Sequence, residues 1–222
     1  MKEKRQCLRC GTCCKKGGPV LHGKDLSLLD NSVLSLDNLI TIRKQEPSFN
    51  PFTDRIEPAG QELIKIAGKG ASWECIFYDA GQSACLIHTD RPMECRALQC
   101  WDTGEIQAIS ENERLSRFDL IGKNDPLRDF MELHEEQCSY GKALTFLEHL
   151  SAPLPNAQSL EGLTLIMRKD LEIRDKAISR FRLSLNLELF YFGRPLFKSL
   201  RHPCLRVNLS GPSIHLELIR PA

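Results

Sequence analysis

Four cysteines fall within eight positions near the amino terminus: Cys7, Cys10, Cys13 and Cys14, in the stretch CLRCGTCCKKGGP. No hydrophobic core requires thiols packed so densely along a chain, two of them adjacent. Such a segment has three chemical uses: a disulfide framework, a metal site or a redox centre. Six further cysteines follow, Cys75, Cys85, Cys95, Cys100, Cys138 and Cys204, so eight of the ten lie in the first 100 residues.

The expected compartment narrows these uses. The sequence begins Met1-Lys2-Glu3-Lys4-Arg5 and runs into cysteines without an apolar stretch. It does not read as a secretory signal, so the cytoplasm is the expected location. Persistent disulfides are rare there, which leaves metal or cluster binding as the expected use. No run of about 18 apolar residues predicts a membrane span. A net charge of +1, from 30 basic and 29 acidic residues, gives no global case for nucleic acid or an anionic membrane. A local excess of basic residues between Arg168 and Arg206 reads first as a solvated helix face and second as a surface for an unknown protein partner or a nucleic acid.

Thiolates bind both zinc and iron–sulfur clusters. A tetrahedral site places each sulfur about 2.3 Å from zinc, and a C-x2-C turn brings two sulfurs together from one tight loop. Here the spacing is C-x2-C-x2-C-C. Its first three cysteines match the opening of the bacterial ferredoxin run, but Gly17 stands where the fourth ligand would be. The segment therefore needs ligands from elsewhere. Cys75 and Cys85 flank a predicted turn at Ala80-Gly81, which would set them on neighbouring rungs of a hairpin. Cys95 and Cys100 are about 140° apart on an ideal helix, so they share a site only if the helix ends before Cys100. Cys13 and Cys14 are neighbours whose side chains are expected to diverge. The triplet leans toward an iron–sulfur cluster, and zinc is the alternative.

Around these residues the sequence predicts short elements. Asp25 is placed to cap a helix over LSLL, and Asp37 a second helix through NLITIRKQE. PSFNPFTDRIEPAG reads as a loop, ELIKIAG and CIFYD as strands, and RPMECRALQC as a helix. Residues 111–150 carry helical apolar spacing with a break near GKNDP. SAPLPNAQSLEG (151–162) reads as a linker. Beyond it, Ile173, Ala177, Phe181, Leu185 and Leu189 recur every four residues, a long-helix pattern, although LSLNLEL also alternates as a strand would. The last segment, CLRVNL-SGPS-IHLELI, reads as a hairpin. The expected fold is α+β. A small cysteine-rich, metal-stabilised domain of short helices and a β-hairpin spans 1–150, and a helical plus β-hairpin part spans 151–222. Metal binding would couple to folding of the first.

CLRCGTCC, followed by WECIFYD and ACLIHTDRPMECRALQC, resembles the YkgJ-type cysteine-cluster family of zinc- or iron-chelating domains over about residues 7–101. The resemblance rests on Gly11, the eight cysteines, Arg91-Pro92 and Cys95-Arg96 in their spacing. It implies a metal-binding set of Cys7, Cys10, Cys13, Cys14, Cys75, Cys85, Cys95 and Cys100. This chain has His88 where the family pattern leads one to expect tyrosine. The family is also similar to the cysteine-rich part of flagellin lysine N-methylases, which are associated with an iron–sulfur centre. No glycine-rich fingerprint for S-adenosylmethionine accompanies it.

Other residues have ordinary expected roles. His134 and Cys138 share a helix face at i and i+4, a spacing that can hold metal but more often joins a surface histidine to a half-buried thiol. His88 reads as an exposed turn residue, His22 as a solvated loop residue, and Cys204 as core. Trp73 and Trp101 read as core packing. Arg91 and Arg96 flank Cys95, either on the helix surface or offsetting thiolate charge. No GxSxG, P-loop, HExxH or Rossmann fingerprint occurs, and no paired-carboxylate constellation. Two functions follow as expectations: a redox or metal-handling protein carrying an iron–sulfur cluster or zinc, or a structural zinc module serving protein–protein interaction.

Overall fold

Glycine and proline punctuate the first hundred residues so often that only short elements form there. The computed structural model of the chain describes residues 10–110, 113–151, 157–210 and 213–219. Two units emerge. The first comprises the described residues up to Ile40 together with Leu63–Leu120; the second comprises Thr41–Glu62 and the described residues from Ile121 onward. Helices and small antiparallel hairpins are mixed throughout, an α+β architecture.

The first unit is built on a central extended segment. After helix α1 (Thr12–Lys15), residues 18–21 run antiparallel to a strand we number β4 (Leu63–Ile66). The Leu21 N–H donates to the Ile64 carbonyl at 2.8 Å, and the Ile66 N–H to the Pro19 carbonyl at 3.0 Å. Position 18 must be glycine, because a Cβ there would strike the Ile66 carbonyl. β1 (Leu39–Ile42) pairs with β4. Leu21, Leu39, Ile40, Ile64 and Ile66 are all buried, so this ladder carries the core of the unit. Helix α2 (Leu26–Asp30) adds Leu28 to it. Four ladder-forming segments carry cysteines or their neighbours: β5 (Gly68–Lys69) with β6 (Glu74–Cys75), and β7 (Tyr78–Asp79) with β8 (Ala84–Cys85). Helices α3 (Met93–Ala97), α4 (Gly104–Ile109) and α5 (Arg117–Leu120) complete the unit.

The helix expected after Asp37 does not form. A single 3-10 turn, Leu36–Asn38, is closed by the Asn38 side chain accepting from the Ser35 N–H, and the β-branched run that follows becomes β1.

The second unit is mainly helical: α6 (Arg128–Gln137), α7 (Tyr140–Leu150), α8 (Ala157–Phe181), α9 (Leu185–Phe192) and α10 (Leu196–Ser199). The expected terminal hairpin is present as β9 (Leu205–Ser210) and β10 (Ser213–Leu218), with Leu209 opposite Ile214. The stretch read as a loop, PSFNPFTDRIEP, is instead a hairpin of β2 (Pro47–Asn50) and β3 (Arg55–Pro58), with Phe49 opposite Ile56. Its outer prolines pair at the open end, where proline costs least. Part of the expected linker, from Ala157, already belongs to α8; Gly162 lets the Phe146 ring lie against that helix, where a Cβ would collide. The alternating LSLNLEL is helical, not extended. Arg182 takes a left-handed φ of 52°, and the Ser184 side chain caps α9 by accepting from the Leu187 N–H.

Among the described residues, no helix is long and apolar enough to cross a membrane.

Candidate metal centre

Five cysteines of the first unit are presented by very short elements. Cys13 and Cys14 lie in α1, Cys75 ends β6, Cys85 ends β8, and Cys95 sits mid-way along α3. Helix α1 packs against β6. Gly11 caps it in a left-handed conformation (φ 75°), and a Cβ at that position would fall within the Tyr78 ring. The Lys15 ammonium lies 5.7 Å from the centroid of the same ring. Glycine and Tyr78 thus fix where the paired cysteines stand.

The thiols of Cys14, Cys75 and Cys95 lie within electrostatic range of one another or of Cys13 and Cys85. Burial, followed by the charges of Cys13, Cys75 and Cys85, pushes the Cys14 thiol up to about 12. Burial raises Cys75, with Cys85 and Cys13 adding to the rise. Burial also raises Cys95, reinforced by Cys75, Cys13, Cys14 and Cys85. Without a counter-charge Cys14, Cys75 and Cys95 hold their protons. A thiophilic divalent cation would supply the missing positive charge and take the protons' place. The Cys13 and Cys14 sulfurs are 4.0 Å apart and do not diverge as expected. Two sulfurs on one tetrahedral zinc stand about 3.8 Å apart, so the adjacent pair can share a metal.

The cysteines are not paired on rungs as the sequence suggests. Cys75 faces Gly68 in the β5–β6 ladder, and Cys85 faces Tyr78 in β7–β8. The intervening Ile76 and Phe77 turn the chain between two hairpins rather than along one. Helix α3 does end before Cys100, at Ala97, and Cys100 is exposed. Cys10 is exposed too; the Thr12 hydroxyl, 3.2 Å away, lowers its thiol. Cys7 lies outside the described residues. Among the described residues, no three Cys, His, Asp or Glu side chains form a ready-made coordination shell.

A second set of residues ties α3 to the segment after α1: Asp25, expected to cap a helix, His22, expected in a solvated loop, and Glu94, which the sequence did not single out. Asp25 is 4 % exposed. It accepts from the His22 N–H at 2.9 Å and from the Met93 N–H at 2.8 Å. Glu94 accepts from the Val20 N–H at 2.8 Å and stands 3.2 Å from His22 Nε2. His22 is therefore fully buried rather than a solvated loop residue. Arg91 and Arg96 act on the backbone: Arg91 donates to the His88 and Cys95 carbonyls, and Arg96 to the Arg91 carbonyl. The His88 ring is half-buried. Trp73 and Trp101 are 41 % and 40 % exposed, so neither is core.

In the second unit, His134 and Cys138 are both fully buried. His134 Nε2 lies 2.6 Å from Asp170 Oδ1, and Asp170 also holds the Arg174 guanidinium at 2.7 Å. Burial holds His134 down to about 4, against the pull of Asp170. Asp170 stays ionised because Arg174 and His134 outweigh its burial. The ring thus donates from Nε2, while Nδ1 has no partner among the described residues. Burial pushes the Cys138 thiol up to about 12. A neutral thiol and an engaged histidine make a packing arrangement. Cys204, expected in the core, is half-buried, and its carbonyl accepts from the Ile219 N–H at 2.9 Å.

Comparison with known proteins gives one match. The family model CxxCxxCC, described as "Putative zinc- or iron-chelating domain", aligns with residues 6–116, half of the chain. No curated protein and no solved structure matches.

Proposed function

We propose a function from one premise: the chain belongs to the CxxCxxCC family of zinc- or iron-chelating domains. Metal chelation is the property of that family; the identity of the metal, its ligands and its use are our reading. The ligands are drawn from Cys7, Cys10, Cys13, Cys14, Cys75, Cys85, Cys95 and Cys100. Cys13, Cys14, Cys75, Cys85 and Cys95 form the centre, and the observation that carries the reading is the 4.0 Å approach of the Cys13 and Cys14 sulfurs on a helix packed against the strand that ends at Cys75. Bound metal would supply the charge that lets them ionise, and their thiolates would hold and shield it.

The C-x2-C-x2-C order supports an iron–sulfur centre with a redox or metal-handling role in a reducing compartment. The 4.0 Å separation of the Cys13 and Cys14 sulfurs favours a second reading, a zinc ion bound for structural purposes in a protein-interaction module. Anaerobic purification, a visible spectrum, and assay of iron, sulfide and zinc separate the two. A brown protein with iron and sulfide in equal amounts supports the first reading. A colourless protein with stoichiometric zinc supports the second. A purified chain that retains neither, and takes up neither on reconstitution, overturns both.

A further inference from the structure

We propose that Asp25 and Glu94 are positioning residues that set how tightly the cysteine site holds its metal, although neither is a ligand. The inference rests on the metal-binding reading above and deepens it. Cys13 and Cys14 precede the extended segment 18–22 by a few residues, and Cys95 directly follows Glu94. Between these two stretches the chain makes a long excursion, so their separation is not set by local geometry. It is set by two carboxylates, Asp25 crossing the gap once, to Met93, and Glu94 crossing it twice, to Val20 and His22. Asp25 receives the His22 N–H with one oxygen and the Met93 N–H with the other. Glu94 receives the Val20 N–H with Oε2 and faces His22 Nε2 with Oε1.

The segment so clamped is itself immobilised on the core. It pairs with β4 through Pro19 and Leu21, the Leu115 N–H donates to the Leu21 carbonyl at 3.2 Å, and the Gly23 N–H to the Glu113 carbonyl at 2.7 Å. Helix α3, only five residues long, has little stability of its own. The clamp transfers the rigidity of the core to it. If the two carboxylates hold Cys95 in place before metal arrives, metal binding need not order that helix. Removing them makes each binding event carry that ordering cost, which appears as weaker affinity. Groups that orient metal ligands from behind typically change affinity by roughly tenfold to a hundredfold when removed.

The test uses the full-length chain, reduced and freed of metal. Cobalt(II) is titrated in while the thiolate-to-cobalt absorption is followed, and zinc affinity is then read by competition against a chromophoric chelator. Glu94→Ala should bind zinc roughly tenfold to a hundredfold more weakly. Glu94→Gln keeps an oxygen for the Val20 N–H but loses the acceptor facing His22 Nε2, and should bind more weakly than wild type and more tightly than Glu94→Ala. Asp25→Asn likewise keeps one acceptor where two are needed and should bind more weakly than wild type, a comparison that stands even if the alanine variant does not fold. Wild-type zinc affinity in both Glu94→Ala and Asp25→Asn overturns the clamp and leaves the metal reading intact. A wild-type chain that develops no cobalt–thiolate band overturns the metal reading itself, and the clamp with it.

Discussion

Gly11 shows how one residue's geometry becomes a condition for the site. Its φ of 75° disfavours any side chain, and the Tyr78 ring occupies the space a Cβ would need. Gly11→Ala should therefore cost more than about 1 kcal/mol and displace α1 from β6. Urea denaturation followed by tryptophan emission would register the loss, and reduced metal retention should accompany it. His134 gives a second prediction at this scale. Folding lowers its affinity for a proton, so its contribution is complete above the ordinary histidine value of 6.5 and fades as pH falls toward about 4. Asp170, Arg43 and Arg174 surround it electrically, and the two arginines oppose its protonation. His134→Gln, neutral throughout, should show a flatter loss of thermal stability than wild type between those two pH values. Parallel slopes would contradict this account. The cysteines were legible in the sequence because thiol chemistry is carried by residue type and spacing. Asp25, Glu94 and His22 were not, since each is commonplace until the fold brings it across some seventy residues.

At the scale of elements, the same division holds. ELIKIAG and the terminal hairpin announced themselves by alternation, whereas the four-residue recurrence from Ile173 to Leu189 marked helix but not the break that divides it between α8 and α9. The β2–β3 hairpin did not, because its three prolines carry the usual signature of a loop. Helix α9 was ambiguous because a short apolar stretch satisfies both periods. What decides it is Ser184 at its start and Arg174 at its end, and the latter comes from a different helix. Arg174 donates to Asp170 on α8, to Glu188 on α9, and to the carbonyls of Phe192 and Gly193, where α9 stops. Its side chain is 2 % exposed. Arg174→Met should take the guanidinium from both Asp170, which keeps only His134 and the Leu196 N–H, and Glu188, destabilising the second unit by about 3–5 kcal/mol. Circular dichroism melting would show a clear drop in Tm, and a change of less than about 1 kcal/mol would refute the role assigned to this residue. The buried Arg43 works alike: it holds Glu135 at 2.7 Å and the Cys138 carbonyl at 2.8 Å, joining the chain before β2 to α6.

For the whole molecule, the two units should respond differently to metal. Both tryptophans, Trp73 and Trp101, belong to the first unit. The long helices, α6 to α9, belong to the second. Stripping metal with a strong chelator should therefore alter tryptophan emission while leaving most of the helical dichroism in place. Equal collapse of both signals would mean that the second unit depends on the metal as well. The α+β character was foreseeable from the mixture of periods along the chain. The interleaving of the units was not, since nothing local marks Thr41 or Leu63 as crossing points. That interleaving has a consequence for biosynthesis. Every residue of the first unit has left the ribosome once Leu120 is out, whereas the β2–β3 hairpin, made much earlier, must wait for helices not yet translated. The nascent chain can thus acquire its metal while a strand pair bearing the exposed Phe49 and Ile56 is still without its own unit, a natural moment for a chaperone to intervene.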